Sequence, residues 1–164
     1  EITQPGSFSI KTLQAFKTMS IHDAKLLAKA CRLSVKDGRG KNVRIISGCY
    51  QIPGLFNFFS KHREQMINLS QRGLAYSDIL TLADNHLVYE QESETSPMSK
   101  GETLHFNYNG QTIELVANKS DCVVRFYKFT PIGVELVRLI ADNPDTDYLN
   151  LLKGHLQHHF AVSL

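Results

Sequence analysis

Four cations, Lys36, Arg39, Lys41 and Arg44, crowd one short segment around Asp37-Gly38-Arg39-Gly40. Two glycines in three residues let backbone N–H groups approach an anion, so phosphate binding, on a nucleic acid or a small ligand, is the chemistry open to this segment. It is not a P-loop, because no Gly-Lys-Ser/Thr follows a four-residue spacer. A solvated hairpin tip is the plainer reading. A second constellation is His155 and His159, four residues apart, the spacing at which two imidazoles on a helix can share a metal. No glutamate intervenes as in H-E-x-x-H, and the pair shares an apolar stripe with Tyr148 and Leu152. The stripe therefore reads as a dimer or partner surface, unless the core absorbs it, and no metal site is assigned.

The remaining candidates are weaker. His62 among Phe58, Phe59 and Met66 reads as a core-edge histidine, and His105 as an imidazole facing Glu114 across a sheet. No serine or cysteine is tied to a base by local spacing, no G-x-S-x-G elbow occurs, and no motif places a carboxylate pair. Neither a catalytic site nor a cofactor is expected, so an enzyme would need a site assembled only in three dimensions.

The elements that must position these residues follow from composition and periodicity. At 164 residues, 42% hydrophobic and 21% charged, the chain has the profile of a globular domain able to bury a core without staples. Cys31, Cys49 and Cys122 are odd in number and widely spaced, which argues against a disulfide framework or zinc ribbon and for a reducing, cytoplasmic setting. No apolar run reaches the roughly 18 residues that span a bilayer, so no membrane partner is expected. A chain opening on Glu1 without Met reads as a piece of a longer protein. The net charge of +2 hides an asymmetry: residues 1–50 hold nine bases against three acids, whereas Gly73 to Ser99 contains five acids and no Lys or Arg. Such a dipole favours self-association or steers a partner.

Ile10, Leu13, Phe16 and Met19 recur at three-residue steps and predict a helix with a buried stripe. Ser20 and Asp23 have capping-box spacing for a second helix ending near Leu33. Val35 to Ile46 predicts a hairpin. Pro53 opens a third helix, with Leu55, Phe58, Phe59, His62, Met66 and Leu69 on one side, and Ser77 caps a fourth over Asp78 to Asn85. The polar stretch Glu90 to Lys100 reads as a mobile insertion. Asn109-Gly110 predicts a two-residue hairpin turn that places Tyr108 opposite Gln111, Phe106 opposite Ile113 and His105 opposite Glu114. Cys122 to Phe129 is a further strand. Thr130-Pro131 starts a helix with Ile132, Leu136, Leu139 and Ile140 buried, and Tyr148 to Phe160 forms the last helix.

Two of these segments resemble winged-helix regulators of the MarR and PadR kind. Leu82-Ala83-Asp84-Asn85-His86-Leu87-Val88 is similar to the family's leucine, spacer, glycine and Leu-Val motif, with His86 at the glycine's place. Phe129-Thr130-Pro131-Ile132-Gly133-Val134-Glu135-Leu136 is similar to its Leu-Thr-x-x-Gly-x-x-Leu motif. The resemblance covers about residues 55–140 and implies a helix, wing strands and a closing helix. It would put the helix from Ser77 to Asn85 in a DNA groove, but Asp78 and Asp84 carry the wrong sign for that task. Thr12-Leu13, Lys17, Ser20-x-x-Asp23-Ala24 and Leu26-Leu27 also resemble an uncharacterised bacterial domain-of-unknown-function family.

The expected architecture is α+β: a helical N-terminal part with a basic hairpin (1–50), packed on a winged-helix-like domain with a small three-stranded antiparallel sheet (51–142), and a C-terminal helix (143–164). The expected function is a non-enzymatic bacterial protein-interaction or regulatory module, with a protein partner or a homo-oligomer. The alternative is a DNA- or RNA-binding protein that uses the basic N-terminal third.

Overall fold

The structure, a computed structural model, describes residues 8–54, 64–141 and 143–164. Helix α1 (Ile10–Thr18) starts where the Ser9 hydroxyl accepts the Thr12 N–H at 3.2 Å. The inward face differs from the expected one. Three-residue steps drift around a 3.6-residue helix, and the side that meets the protein is Thr12, Ala15 and Met19, spaced i, i+3, i+7. Thr12 is buried and Met19 packs against the core, leaving Ile10, Leu13 and Phe16 at 69%, 54% and 58% exposure. α1 lies on a later helix, whose Glu135 carboxylate accepts the Ser9 N–H at 2.8 Å. Helix α2 (Ile21–Arg32) has the expected capping box: Ser20 Oγ accepts the Asp23 N–H, and the Asp23 carboxylate accepts the Ser20 N–H. It buries Leu26, Leu27, Ala30 and Cys31.

Strands β1 (Val35–Lys36) and β2 (Val43–Gln51) form the expected hairpin. β2 is the central strand of the sheet and nearly continuously buried, because elements cover both of its faces. Strand β3 (Glu64–Met66) pairs with Gly48 to Tyr50, and a 3₁₀ turn follows at Leu69–Arg72. Met66 and Leu69 were expected on a third helix. They lie instead in an extended strand and a 3₁₀ turn, because β2 offers an edge for pairing that helical periodicity cannot reveal. The rest of that expected helix, Leu55, Phe58, Phe59 and His62, lies outside the described residues.

Helix α3 (Tyr76–Asp84) starts two residues earlier than expected, and Ser77 is inside it. Its cap is the Asp78 carboxylate, which accepts the Ala75 N–H at 3.0 Å. The helix closes with His86 N–H on Ala83 O and Leu87 N–H on Leu82 O, both at 2.8 Å, the pattern that needs a left-handed residue. His86 supplies it at φ 58°. A non-glycine residue in that region costs about 1 kcal/mol. His86→Gly is therefore expected to raise stability by about that amount, seen as a higher urea midpoint at unchanged slope. An unchanged or lower midpoint would show that the imidazole compensates through contacts of its own.

The stretch expected to be mobile is tied into the sheet. Strand β4 (Ser93–Glu94) pairs with Phe126 and Arg125 of β7 (Cys122–Lys128), and Met98 is buried and bridges to Cys122. Arg125 forms the clamp: its guanidinium meets the Glu94 and Glu64 carboxylates and lies 4.5 Å from the centre of the Tyr50 ring. Strands β5 (Thr103–Tyr108) and β6 (Gln111–Ala117) pair in the expected register, including Phe106 with Ile113 and His105 with Glu114. Asn109 and Gly110 have φ of 49° and 85°, as a type I′ turn requires.

Helix α4 (Pro131–Val137) is capped by the Thr130 hydroxyl on the Gly133 N–H. It buries Val134, Leu136 and Val137, while Leu139, expected on the buried stripe, is exposed. Helix α5 (Thr146–Leu156) is capped by Asp145, whose side chain also meets Arg32 at 3.3 Å and Arg72 at 3.9 Å. The last helix was expected to run to Phe160. It stops at Leu156, and Phe160–Ser163 forms strand β8 on the free edge of β6.

All pairings are antiparallel. The sheet order is β4-β7-β2-β1-β5-β6-β8, with β3 attached to β2, making eight strands among the described residues. The chain is thus α+β as expected, but its sheet is larger than a three-stranded wing. β7 pairs with β2 and β4 rather than continuing the β5–β6 hairpin. Segments 1–50, 51–142 and 143–164 all contribute strands to this one sheet. α5 packs on β2, β3 and β8. α2 packs on α3 and α4. One apolar core results, with Tyr148, Phe129 and Phe160 among its largest fully buried side chains.

Candidate functional site

The β1–β2 loop organises itself. The Asp37 carboxylate accepts N–H groups from Lys41 at 2.9 Å and Asn42 at 3.3 Å, and the Asn42 side-chain amide at 2.6 Å. Burial opposes ionisation of Asp37, but these hydrogen bonds outweigh it and hold the carboxyl below its ordinary range. The loop's acid is therefore consumed internally, and its cations reach different places.

The four predicted cations do not form one patch. Arg39 is exposed at the tip. Lys36 lies beside one cleft, of about 300 Å³, with His105, Asn107 and Thr112. Arg44 turns along the sheet and lies 4.6 Å from the centre of the Phe126 ring, and its Nε is buried without a hydrogen-bond partner. Burial pushes the Arg44 pKa down, although Asp37 nearby acts the other way. Lys41 lines a second cleft, of about 360 Å³, where it meets Lys128 from β7 and Arg138 from the end of α4. Glu135 and Tyr89 complete that cleft. Glu135 already accepts the Ser9 N–H, and its carboxyl is held low against the effect of burial.

Three cations around one engaged carboxylate make this cleft the strongest anion-binding geometry among the described residues. Sequence reasoning found Lys41 but missed Lys128 and Arg138. The only available signal was the position of Lys128 at the end of a strand, and pairing of β7 with β2 is what brings it to the loop.

The expected partner stripe is distributed differently. Tyr148 and Leu152 are fully buried in the core, and His159 is 2% exposed in the turn after α5. The four-residue relation between His155 and His159 is therefore not a helical one. His155 is half-buried, with its Nδ1 2.9 Å from the Leu151 carbonyl of its own helix. Among the described residues no group of three or more His, Cys, Asp or Glu side chains is arranged to hold a metal ion.

The thiols are equally quiet. Cys31, Cys49 and Cys122 are buried and not joined by a disulfide. Burial, with Cys122 nearby, pushes the Cys49 thiol up to about 12, and burial raises Cys122 as well, so both stay protonated at neutral pH. His105 and Glu114 approach to 3.6 Å on an exposed sheet face, where such a pair contributes little.

The geometry offers contact faces and anion-sized clefts. Among the described residues no helix is long and apolar enough to cross a membrane. No curated protein and no solved structure matches the chain. Residues 1–153 match the family described as protein of unknown function, DUF2806, and the chain belongs to that family.

Proposed function

We propose that the chain is a non-enzymatic protein-interaction or regulatory module of the bacterial cytoplasm that associates with a second copy of itself through α1. The observation that carries this reading is the exposure of Ile10, Leu13 and Phe16 on a properly capped helix anchored from its other side. Large apolar side chains gathered on one face mark contact surfaces. Exposed Lys11 and Lys17 lie on the same helix, and the acidic run from Gly73 to Ser99 gives each copy an opposite charge to offer. A diverged winged helix is the fold reading that fits this role. It is supported by the order α3, β5–β6 hairpin, α4 and by direct contact between the two motif segments, where Thr130 N–H donates to Leu87 O at 3.0 Å. Light scattering at two concentrations tests association. The wild type is expected to gain mass with concentration, whereas Phe16→Asp should remain monomeric with an unchanged melting temperature. A wild type that stays monomeric throughout would remove the proposal.

A nucleic-acid or phosphate reading stands second, favoured by the convergence of Lys41, Lys128 and Arg138 on one cleft. It requires binding to mixed DNA or RNA that falls steeply with salt and is lost in Lys41→Glu/Lys128→Glu. Binding insensitive to those changes would exclude the cleft.

A further inference from the structure

Between the middle of β2 and the start of α3 lies a cleft of about 230 Å³ that is separate from α1 and from the basic loop. Leu74 and Ile79, both buried, provide apolar floor, and Tyr76, Tyr127 and Glu92 stand around it. Among the described residues no Lys or Arg lines it. Its most informative residue is Ser47. Ile46 pairs with Phe126 and Gly48 with Arg125, which leaves Ser47 as the extra residue of a β-bulge. Bulges re-aim a side chain out of the strand's alternation.

The backbone around the bulge is repaired, since Ile67 N–H donates to the Ser47 carbonyl at 2.8 Å. The hydroxyl is not: Ser47 is 3% exposed, and its Oγ has no hydrogen-bond partner. A buried polar atom left this way calls for an explanation, and a ligand is one that its position in the wall of a cleft supports.

The surroundings select the sign of that ligand. Two phenol rings and a carboxylate favour positive charge carried on an apolar body; the guanidinium of Arg125, 3.8 Å from Met66 Sδ in the cleft wall, is already paired with Glu64 and Glu94. Glu92 is exposed, and among the described residues no hydrogen bond or ion pair engages it. Burial, then Glu92 and Tyr76, raise the pKa of Tyr127, which keeps that phenol neutral. An unpartnered hydroxyl oxygen accepts a hydrogen bond, which a primary ammonium can donate and a quaternary one cannot.

We infer that this cleft binds a primary ammonium group on a small apolar or aromatic body, with its N–H groups directed to the Glu92 carboxylate and the Ser47 hydroxyl. The same chemistry is presented by a free amine and by a lysine side chain of a peptide.

Titration of the labelled protein with 2-phenylethylamine, 2-phenylethanol and phenylacetate, followed by amide shifts, tests the inference. The amine is expected to shift residues around Ser47, Tyr76 and Tyr127. The neutral alcohol should bind about tenfold more weakly, and Glu92→Gln should reduce the amine's affinity by a similar factor. Phenylacetate should not bind. Ser47→Ala should weaken the amine more than the alcohol, and if that variant does not fold, Glu92→Gln decides alone. Nα-acetyl-lysine methylamide distinguishes the sources: tighter binding than phenylethylamine assigns a peptide lysine, weaker binding a free amine. Equal affinity for amine and alcohol, shifts elsewhere, or no binding by any probe would overturn the inference.

Discussion

Replacing Gly133 by alanine is expected to destabilise the protein by about 3 kcal/mol or more, at the upper end of overpacking effects. A Cβ built on Gly133 would overlap the Leu87 carbonyl oxygen and lie 2.9 Å from its carbon. These are backbone atoms, held by the α3 terminus on one side and by the Thr130 N–H on the other, so neither can yield as a flexible side chain would. Relief requires moving α4 off the Leu87 segment, which also breaks the Val88–Phe129 bridge. Chemical denaturation of the soluble variant should show a lower midpoint at unchanged slope, or the variant should fail to accumulate as folded protein. A loss below about 1 kcal/mol would mean that the two segments separate easily and that their contact does not define the fold. His86→Gly acts on the same junction with the opposite sign, so the two together test whether close approach or backbone strain governs it.

The second large effect is at Tyr148, where two substitutions should diverge. Tyr148→Ala removes a fully buried ring that sits 5.8 Å from the Tyr108 ring, and should cost about 3–5 kcal/mol. Tyr148→Phe keeps the ring and removes a hydroxyl that is buried without a hydrogen-bond partner. Discarding an unsatisfied polar group is neutral or gains about 1 kcal/mol. Calorimetric melting of both variants checks the pair. If α5 instead presented Tyr148 to a partner, Tyr148→Ala would change association and leave the monomer's melting temperature nearly intact. If Tyr148→Phe were strongly destabilising, the hydroxyl would have a bonded role in solution.

Local rules were legible wherever a few adjacent residues decide the outcome. The Ser20–Asp23 box and Thr130-Pro131 cap helices because their hydroxyls and carboxylates reach N–H groups within three residues. Asn109-Gly110 sets a register because both residues accept positive φ, and every pair from Thr103–Val116 to Tyr108–Gln111 then follows. The candidate basic loop was legible for the same reason, as a glycine-rich turn between two short-range partners.

What failed involved competition between distant segments. The apolar series at Ile10, Leu13 and Phe16 was a genuine stripe, but burial depends on which side another element meets, and α4 meets Thr12 through the Ser9–Glu135 contact. The polar run from Glu90 to Lys100 had too little apolar surface to declare itself. It is held because β7 offers an edge and Arg125 offers charge. The stripe from Tyr148 to Phe160 could be read as surface or core, and only the sheet beneath α5 decides for core.

The amino-acid sequence alone determined the Ser20–Asp23 and Thr130-Pro131 caps, the hairpin register, the charge asymmetry and the mixed α+β class, since each depends on neighbours a few bonds apart or on composition. The tertiary structure decided which apolar faces stay uncovered, which strands share the sheet, and that Lys41 meets Lys128 and Arg138 while Arg44 turns away. The reason is that burial and charge convergence are properties of pairs of surfaces, and residues separated by nearly a hundred positions become neighbours only when β7 pairs with β2.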